Sequence, residues 1–135
     1  MPLNAVSPFL LGFAVFALSV PLLRPAAAAE GDPAAGKRVF NQCMACHSVA
    51  KGKNGLGPGL FGVVGRKAGT AEGFNNYSPA MKKADVTWTE ENLSKYLADP
   101  KGFVPGNRMI FVGLKKDEDR ANVIAFLKQA GEGGQ

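Results

Sequence analysis

The sequence predicts an all-α domain of about three main helices plus short ones, wrapped with irregular loops. Three observations predict this. Apolar residues recur at three- and four-residue spacing in separate stretches, each opened by residues that suit a helix start. No stretch shows the strict apolar–polar alternation of a half-buried strand. Glycine, at 17 of 135 residues, gathers most densely in residues 50–76, where no periodic pattern survives.

The elements follow in chain order. Residues 1–29 read as a signal peptide cleaved after Ala29: Pro8 to Leu23 is apolar, and Ala26 to Ala29 supplies the small residues that a processing site needs. The rival is an uncleaved anchor, since a span needs roughly 20 apolar residues. Pro8 and Pro21 disfavour one continuous helix there. Residues 30–135 form the folded domain. Asp32-Pro33 pairs an N-cap with a proline at the first helical position. Ala35, Gly36, Val39, Phe40 and Cys43 then keep helical spacing, so the first helix is expected to run from Pro33 into the cysteines. Thr87-Trp88-Thr89-Glu90 fits a capping box, with Leu93, Tyr96 and Leu97 on one face behind it and Pro100 as the stop. Residues 101–116 read as irregular. The last helix is expected from near Asp117, carrying Val123, Ile124, Phe126, Leu127 and Ala130, with Gly131 as its C-cap and 131–135 a mobile tail.

Net charge is +5. The basic residues are scattered and no binding module accompanies them, so nucleic acid is not the expected partner. A glycine-rich domain of this size is short of core and calls for a staple. The inventory limits what that staple is: two cysteines and one histidine cannot build a four-ligand structural zinc site unless carboxylates fill the gap.

Cys43-Met44-Ala45-Cys46-His47 is C-x-x-C-H, the attachment motif of c-type haem. Two thiols on one helical turn reach the two vinyl groups of one porphyrin, and the next residue falls under the iron. A thioredoxin-like redox pair would sit in a βαβ context, which this chain lacks. A structural disulfide would leave the adjacent, sole histidine unexplained.

With no second histidine, methionine is the next candidate for the other axial position. Met1 is in the leader, and Met44 is inside the attachment turn. Met81 and Met109 remain. Met81 sits beside Lys82 and Lys83 and reads equally as an ordinary surface or gap-filling residue. Met109, in Pro105-Gly106-Asn107-Arg108-Met109, better suits a loop returning over the haem, with core packing as the alternative.

The strings GDPAAGKRVFNQCMACH, GPGLFGVVGRKAG, GFNNYSPAMK, TWTEENLSKYLADPK and PGNRMIFVGLKK resemble the class I c-type cytochromes, close to the mitochondrial type and bacterial cytochrome c2, from Gly31 to about Ala130. The resemblance implies the cytochrome c fold around one covalent haem c, bonded to Cys43 and Cys46, with His47 and Met109 as axial ligands. It also implies that Pro58 offers its carbonyl to the second ring nitrogen of His47. Tyr77 and Trp88 would hydrogen-bond a haem propionate, and Arg66 would offset its charge. Tyr96 and Asn107 would sit near the Met109 sulfur, and Phe111 would shield the exposed haem edge. Gly36 and Phe40 would cross the last helix at Phe126. Gln42, Asn107 and Arg108 depart from residues common in the family and bear on docking.

The function implied is a soluble monohaem electron carrier, not an enzyme. Two protein ligands leave no open coordination site, so outer-sphere transfer through the haem edge remains. A peroxidase would need Met109 to dissociate. A gas-binding cytochrome would need an open sixth position and the motif near the C-terminus. Lys101, Arg108, Lys115 and Lys116 match family positions around the haem edge and would steer acidic docking faces to it. The partners implied are a cytochrome bc complex as donor, a terminal oxidase or photosynthetic reaction centre as acceptor, and a periplasmic dehydrogenase as a further donor. The setting expected is the periplasm, as a monomer without stable membrane insertion.

Overall fold

A computed structural model describes residue 1 and residues 30–133. The expected leader beyond Met1, and the last two residues of the expected tail, lie outside the described residues. Five helices follow in order: α1 (Pro33–Phe40), α2 (Pro79–Lys83), α3 (Glu90–Ala98), α4 (Pro100–Phe103) and α5 (Asp117–Glu132). Among the described residues no helix is long and apolar enough to cross a membrane.

Asp32 caps α1 as its sequence suggests, its side chain accepting the Ala34 N–H at 2.8 Å. The helix stops sooner than expected, at Phe40 rather than at the cysteines. Beyond it the chain tightens into i→i+3 bonds, Gln42 N–H to Val39 O and Cys43 N–H to Phe40 O. Cys43 O then accepts from both Cys46 N–H (3.1 Å) and His47 N–H (2.9 Å), so the pentapeptide is a separately wound turn.

Helix α1 crosses α5 face to face. A Cβ on Gly36 would land on the Asn122 carbonyl and 2.8 Å from Phe126 Cβ, so only glycine permits the approach. Phe40 and Phe126 stack beside it, ring centroids 5.3 Å apart. The buried Asn122 amide accepts the Asp32 N–H at 2.8 Å and ties the start of the domain to its last helix.

Three further expectations are corrected. The cap of α3 is Thr89, whose Oγ1 accepts the Asn92 N–H at 3.1 Å. Thr87 is instead held by an isolated antiparallel bridge to Lys67, within an otherwise irregular segment. Pro100 both ends α3 and starts α4, since Asp99 accepts the Gly102 N–H at 3.1 Å as a new cap. Helix α5 runs through Gly131 to Glu132, because Gly131 packs against Gly62 of the glycine-rich loop, where a Cβ would stand 3.0 Å from Gly62 Cα. Residues 131–132 are therefore helix rather than tail. Helix α2 was not expected. Ser78 caps it, accepting the Met81 N–H at 3.0 Å, with Pro79 first in the helix.

Candidate functional site

The helices and the glycine-rich loop enclose a cavity of about 430 Å³. All eleven residues singled out from the sequence line it: Cys43, Cys46, His47, Pro58, Arg66, Tyr77, Trp88, Tyr96, Asn107, Met109 and Phe111. A smaller hollow of about 240 Å³ near the end of α5 contains neither thiol nor imidazole.

The floor is the pentapeptide turn. Both thiols are free, and burial pushes the Cys43 thiol up, the neighbouring Cys46 adding to the effect. His47 Nδ1 is 2.8 Å from Pro58 O. A carbonyl only accepts, so Nδ1 carries a proton, and in the neutral imidazole the lone pair is then on Nε2. The loop passes this close to the ring because Gly57 has no side chain: a Cβ there would stand 2.9 Å from Nδ1 and 3.0 Å from Nε2.

The segment after α4 lines the same cavity. Asn107 organises it. Its Nδ2 donates to Pro100 O (2.7 Å) and Val104 O (2.9 Å), and its Oδ1 accepts the Met109 N–H (2.9 Å). The resemblance implied a place near the Met109 sulfur. What the hydrogen bonds show is a brace on the backbone that presents Met109. Tyr96 does reach the sulfur, its hydroxyl donating to Sδ at 3.8 Å. Burial pushes the Tyr96 phenol up to about 12, so it stays a neutral donor. Met81 lines the same cavity but is buried within the core, which settles its surroundings as packing rather than surface.

The rear wall is polar in one place. Arg66 donates to Phe61 O (3.1 Å) and Gly59 O (2.8 Å), while its Nε is buried with no acceptor. Burial pulls its pKa down, and Tyr77 pushes it the other way. Tyr77 accepts the Ala71 N–H at 3.1 Å, leaving its own proton to donate. Trp88 packs on Tyr96 with centroids 4.9 Å apart and faces the same space.

A family model, Cytochrome c, matches residues 33–131. The chain belongs to the cytochrome c family. It is 56% identical over 100 residues to cytochrome c2 of Rhodomicrobium vannielii, covering 73% of this chain and 79% of that one. It is 60% identical over 89 residues to cytochrome c2 iso-2 of Magnetospirillum fulvum, covering 66% of this chain and 92% of the relative. Cytochrome cH from Methylobacterium extorquens shares its fold with a TM-score of 0.69 at 47% identity, covering 73% of this chain and 99% of that one. The protein is therefore a class I c-type cytochrome resembling cytochrome c2, an electron carrier rather than an enzyme, with one covalent haem c as cofactor.

The cytochrome's own residues fit that cofactor. Two neighbouring thiols and an imidazole with a free Nε2 share one apolar cavity. The orphaned Arg66 Nε and the Tyr77 hydroxyl meet the need of a buried anionic substituent. Among the described residues no group of three or more His, Cys, Asp or Glu side chains is placed to hold a metal ion.

Sequence reasoning passed over Gly57 and Asn54. The first was legible only as one glycine among many. The second bonds to Glu72 O and Gly59 N–H, neither of which is a sequence neighbour.

Proposed function

We propose that this cytochrome shuttles single electrons by outer-sphere transfer, with His47 and Met109 as the axial ligands and Cys43 and Cys46 as the thioether anchors. Bound haem c supplies a one-electron ferric–ferrous couple. The observation that carries this reading is the convergence of the eleven residues on one cavity, with the His47 ring held by Pro58 O at 2.8 Å and the Met109 sulfur met by Tyr96. Pro58 fixes the tautomer and raises the donor strength of Nε2. Asn107 braces the Met109 backbone and Tyr96 meets its sulfur, so the two would hold the thioether toward a bound iron. Tyr77 and Trp88 would hydrogen-bond a propionate, and Arg66 would offset its charge. Phe111 covers the edge.

The rim supports transient docking. Lys101, Arg108, Lys115 and Lys116 form no ion pairs among the described residues, whereas Lys67, Lys95, Arg120 and Lys128 do. Ile110 (98% exposed) and Val112 (84% exposed) lie between Arg108 and Lys115 along the chain. Such a surface favours brief contacts with acidic redox partners. The resemblance implies a cytochrome bc complex, a terminal oxidase or photosynthetic reaction centre, and a periplasmic dehydrogenase as those partners. The reading of residues 1–29 as an export signal places the exchange in the periplasm.

The test uses the holoprotein. The ferric form should show the weak far-red charge-transfer band of an iron–methionine bond. Met109→Ala should abolish it, and Met81→Leu should leave it. Bimolecular rate constants with an acidic redox partner should fall as salt rises. A band that survives Met109→Ala would reject the ligand assignment, and a flat salt profile would reject the steering.

A further inference from the structure

Three hydrogen bonds run in series from the surface to the imidazole. Asn54 Nδ2 donates to Glu72 O at 3.0 Å, and Asn54 Oδ1 accepts the Gly59 N–H at 2.7 Å. Pro58 O faces His47 Nδ1 at 2.8 Å. The middle link is a single group, because the Gly59 N–H and the Pro58 C=O are the two ends of one planar peptide. The orientation of the Asn54 amide is dictated by its partners, since a backbone N–H only donates and a carbonyl only accepts. Gly59 makes room for the contact: a Cβ there would stand 3.2 Å from Asn54 Oδ1 and collide with Lys53 O.

Asn54 does not line the cavity. The loop beneath the ring is also strapped without it, by Gly57 N–H to Cys46 O (2.9 Å) and Leu60 N–H to Ser48 O (2.8 Å). Losing the Asn54 side chain therefore changes the polarisation of the Pro58–Gly59 peptide more than the path of the backbone.

We propose that Asn54 is a positioning residue that sets the donor strength of His47, and with it the reduction potential, through the Pro58–Gly59 peptide. The proposal rests on His47 being an iron ligand. An acceptor at the Gly59 N–H pushes electron density through the amide onto the Pro58 oxygen. The richer oxygen pulls harder on the Nδ1 proton, Nε2 becomes a stronger donor, and the ferric state is favoured. Hydrogen bonds in series strengthen one another in this way. A carboxylate in place of the amide is a stronger acceptor toward Gly59. Truncation removes the acceptor altogether.

The experiment compares wild-type holoprotein with Asn54→Ala, Asn54→Asp and Lys53→Gln. The last makes the same change of net charge as Asn54→Asp at the neighbouring position without touching the relay. The potential should rise in Asn54→Ala, and should fall in Asn54→Asp by more than in Lys53→Gln. The Nδ1 proton resonance of the reduced protein should move upfield in Asn54→Ala and downfield in Asn54→Asp. Shifts of equal sign in the two variants, an unmoved resonance, or a shift in Asn54→Asp no larger than in Lys53→Gln would overturn the proposal. If Asn54→Ala fails to fold, Asn54→Asp against Lys53→Gln decides alone. A wild-type protein whose imidazole resonances show no influence of the haem would defeat the ligand assignment itself, a result separate from failure of the relay.

Discussion

Truncating Asn107 to alanine removes the brace on the segment that presents Met109, and the geometry gives the size of the effect. Three hydrogen bonds disappear, to Pro100 O, Val104 O and the Met109 N–H. The two carbonyls are not orphaned. Pro100 O keeps the Val104 N–H at 3.1 Å, and Val104 O keeps the Asn107 N–H at 3.1 Å. The Met109 N–H loses its acceptor. A net hydrogen bond contributes about 1 kcal/mol, and an unsatisfied buried group costs about 1–3 kcal/mol. With the carbonyls partly satisfied and the site half-buried, the total is about 2 kcal/mol rather than the upper sum. That corresponds to roughly a 30-fold shift in the equilibrium that holds the segment closed. The assay is a denaturant titration of the ferric holoprotein, followed by the far-red band and by far-ultraviolet dichroism. The band should be lost at lower denaturant in Asn107→Ala, ahead of the helical signal, with Asn107→Thr intermediate because a hydroxyl replaces part of the brace. Coincident curves within about 0.5 kcal/mol of wild type, the scatter of an inert surface change, would refute the assignment of Asn107 as the brace.

Two further outcomes are expected. Gly36→Ala gains up to about 1 kcal/mol of helix propensity. It also drives a methyl group into the Asn122 carbonyl and within 2.8 Å of Phe126 Cβ, an overpacking that costs about 3 kcal/mol or more where backbone must move. Its melting temperature should fall sharply while the reduction potential stays near wild type, and a stabilised variant would contradict the close crossing. Tyr96 supplies a pH signature: the unfolded phenol ionises near pH 10, whereas the folded one holds its proton to about 12. The native state then binds the extra proton in that window, so stability is intact below pH 10 and falls by roughly 2–3 kcal/mol as pH rises through about 12. Unfolding free energies across that window should decline more steeply for wild type than for Tyr96→Phe, and equal slopes would remove Tyr96 as the cause.

What was legible from residues alone follows the range of the interactions. The C-x-x-C-H pentapeptide, the Asp32 cap with Pro33, and the apolar faces of α3 and α5 depend on neighbours within a turn, so spacing exposes them. Ser78-Pro79 and Asp99-Pro100 were equally local start signals, and α2 and α4 passed unread because each is shorter than two turns and carries no periodic pattern. The cap of α3 slipped from Thr87 to Thr89 because two threonines compete, and the bridge from Lys67 claims the first. The family resemblance implied the roles of Pro58, Arg66 and Tyr77, which no periodicity reveals.

By itself the sequence determined that a helical chain with paired thiols and a lone histidine on one turn would carry a covalent macrocycle, because that chemistry needs only five consecutive residues. Tertiary structure decided everything that depends on separation along the chain. It put Glu72 O against Asn54, left Arg66 Nε without a protein acceptor, buried Met81, and kept Gly131 within α5 against Gly62. The physical reason is that these contacts exist only after distant segments have been brought together, and the residues making them look like ordinary loop until then.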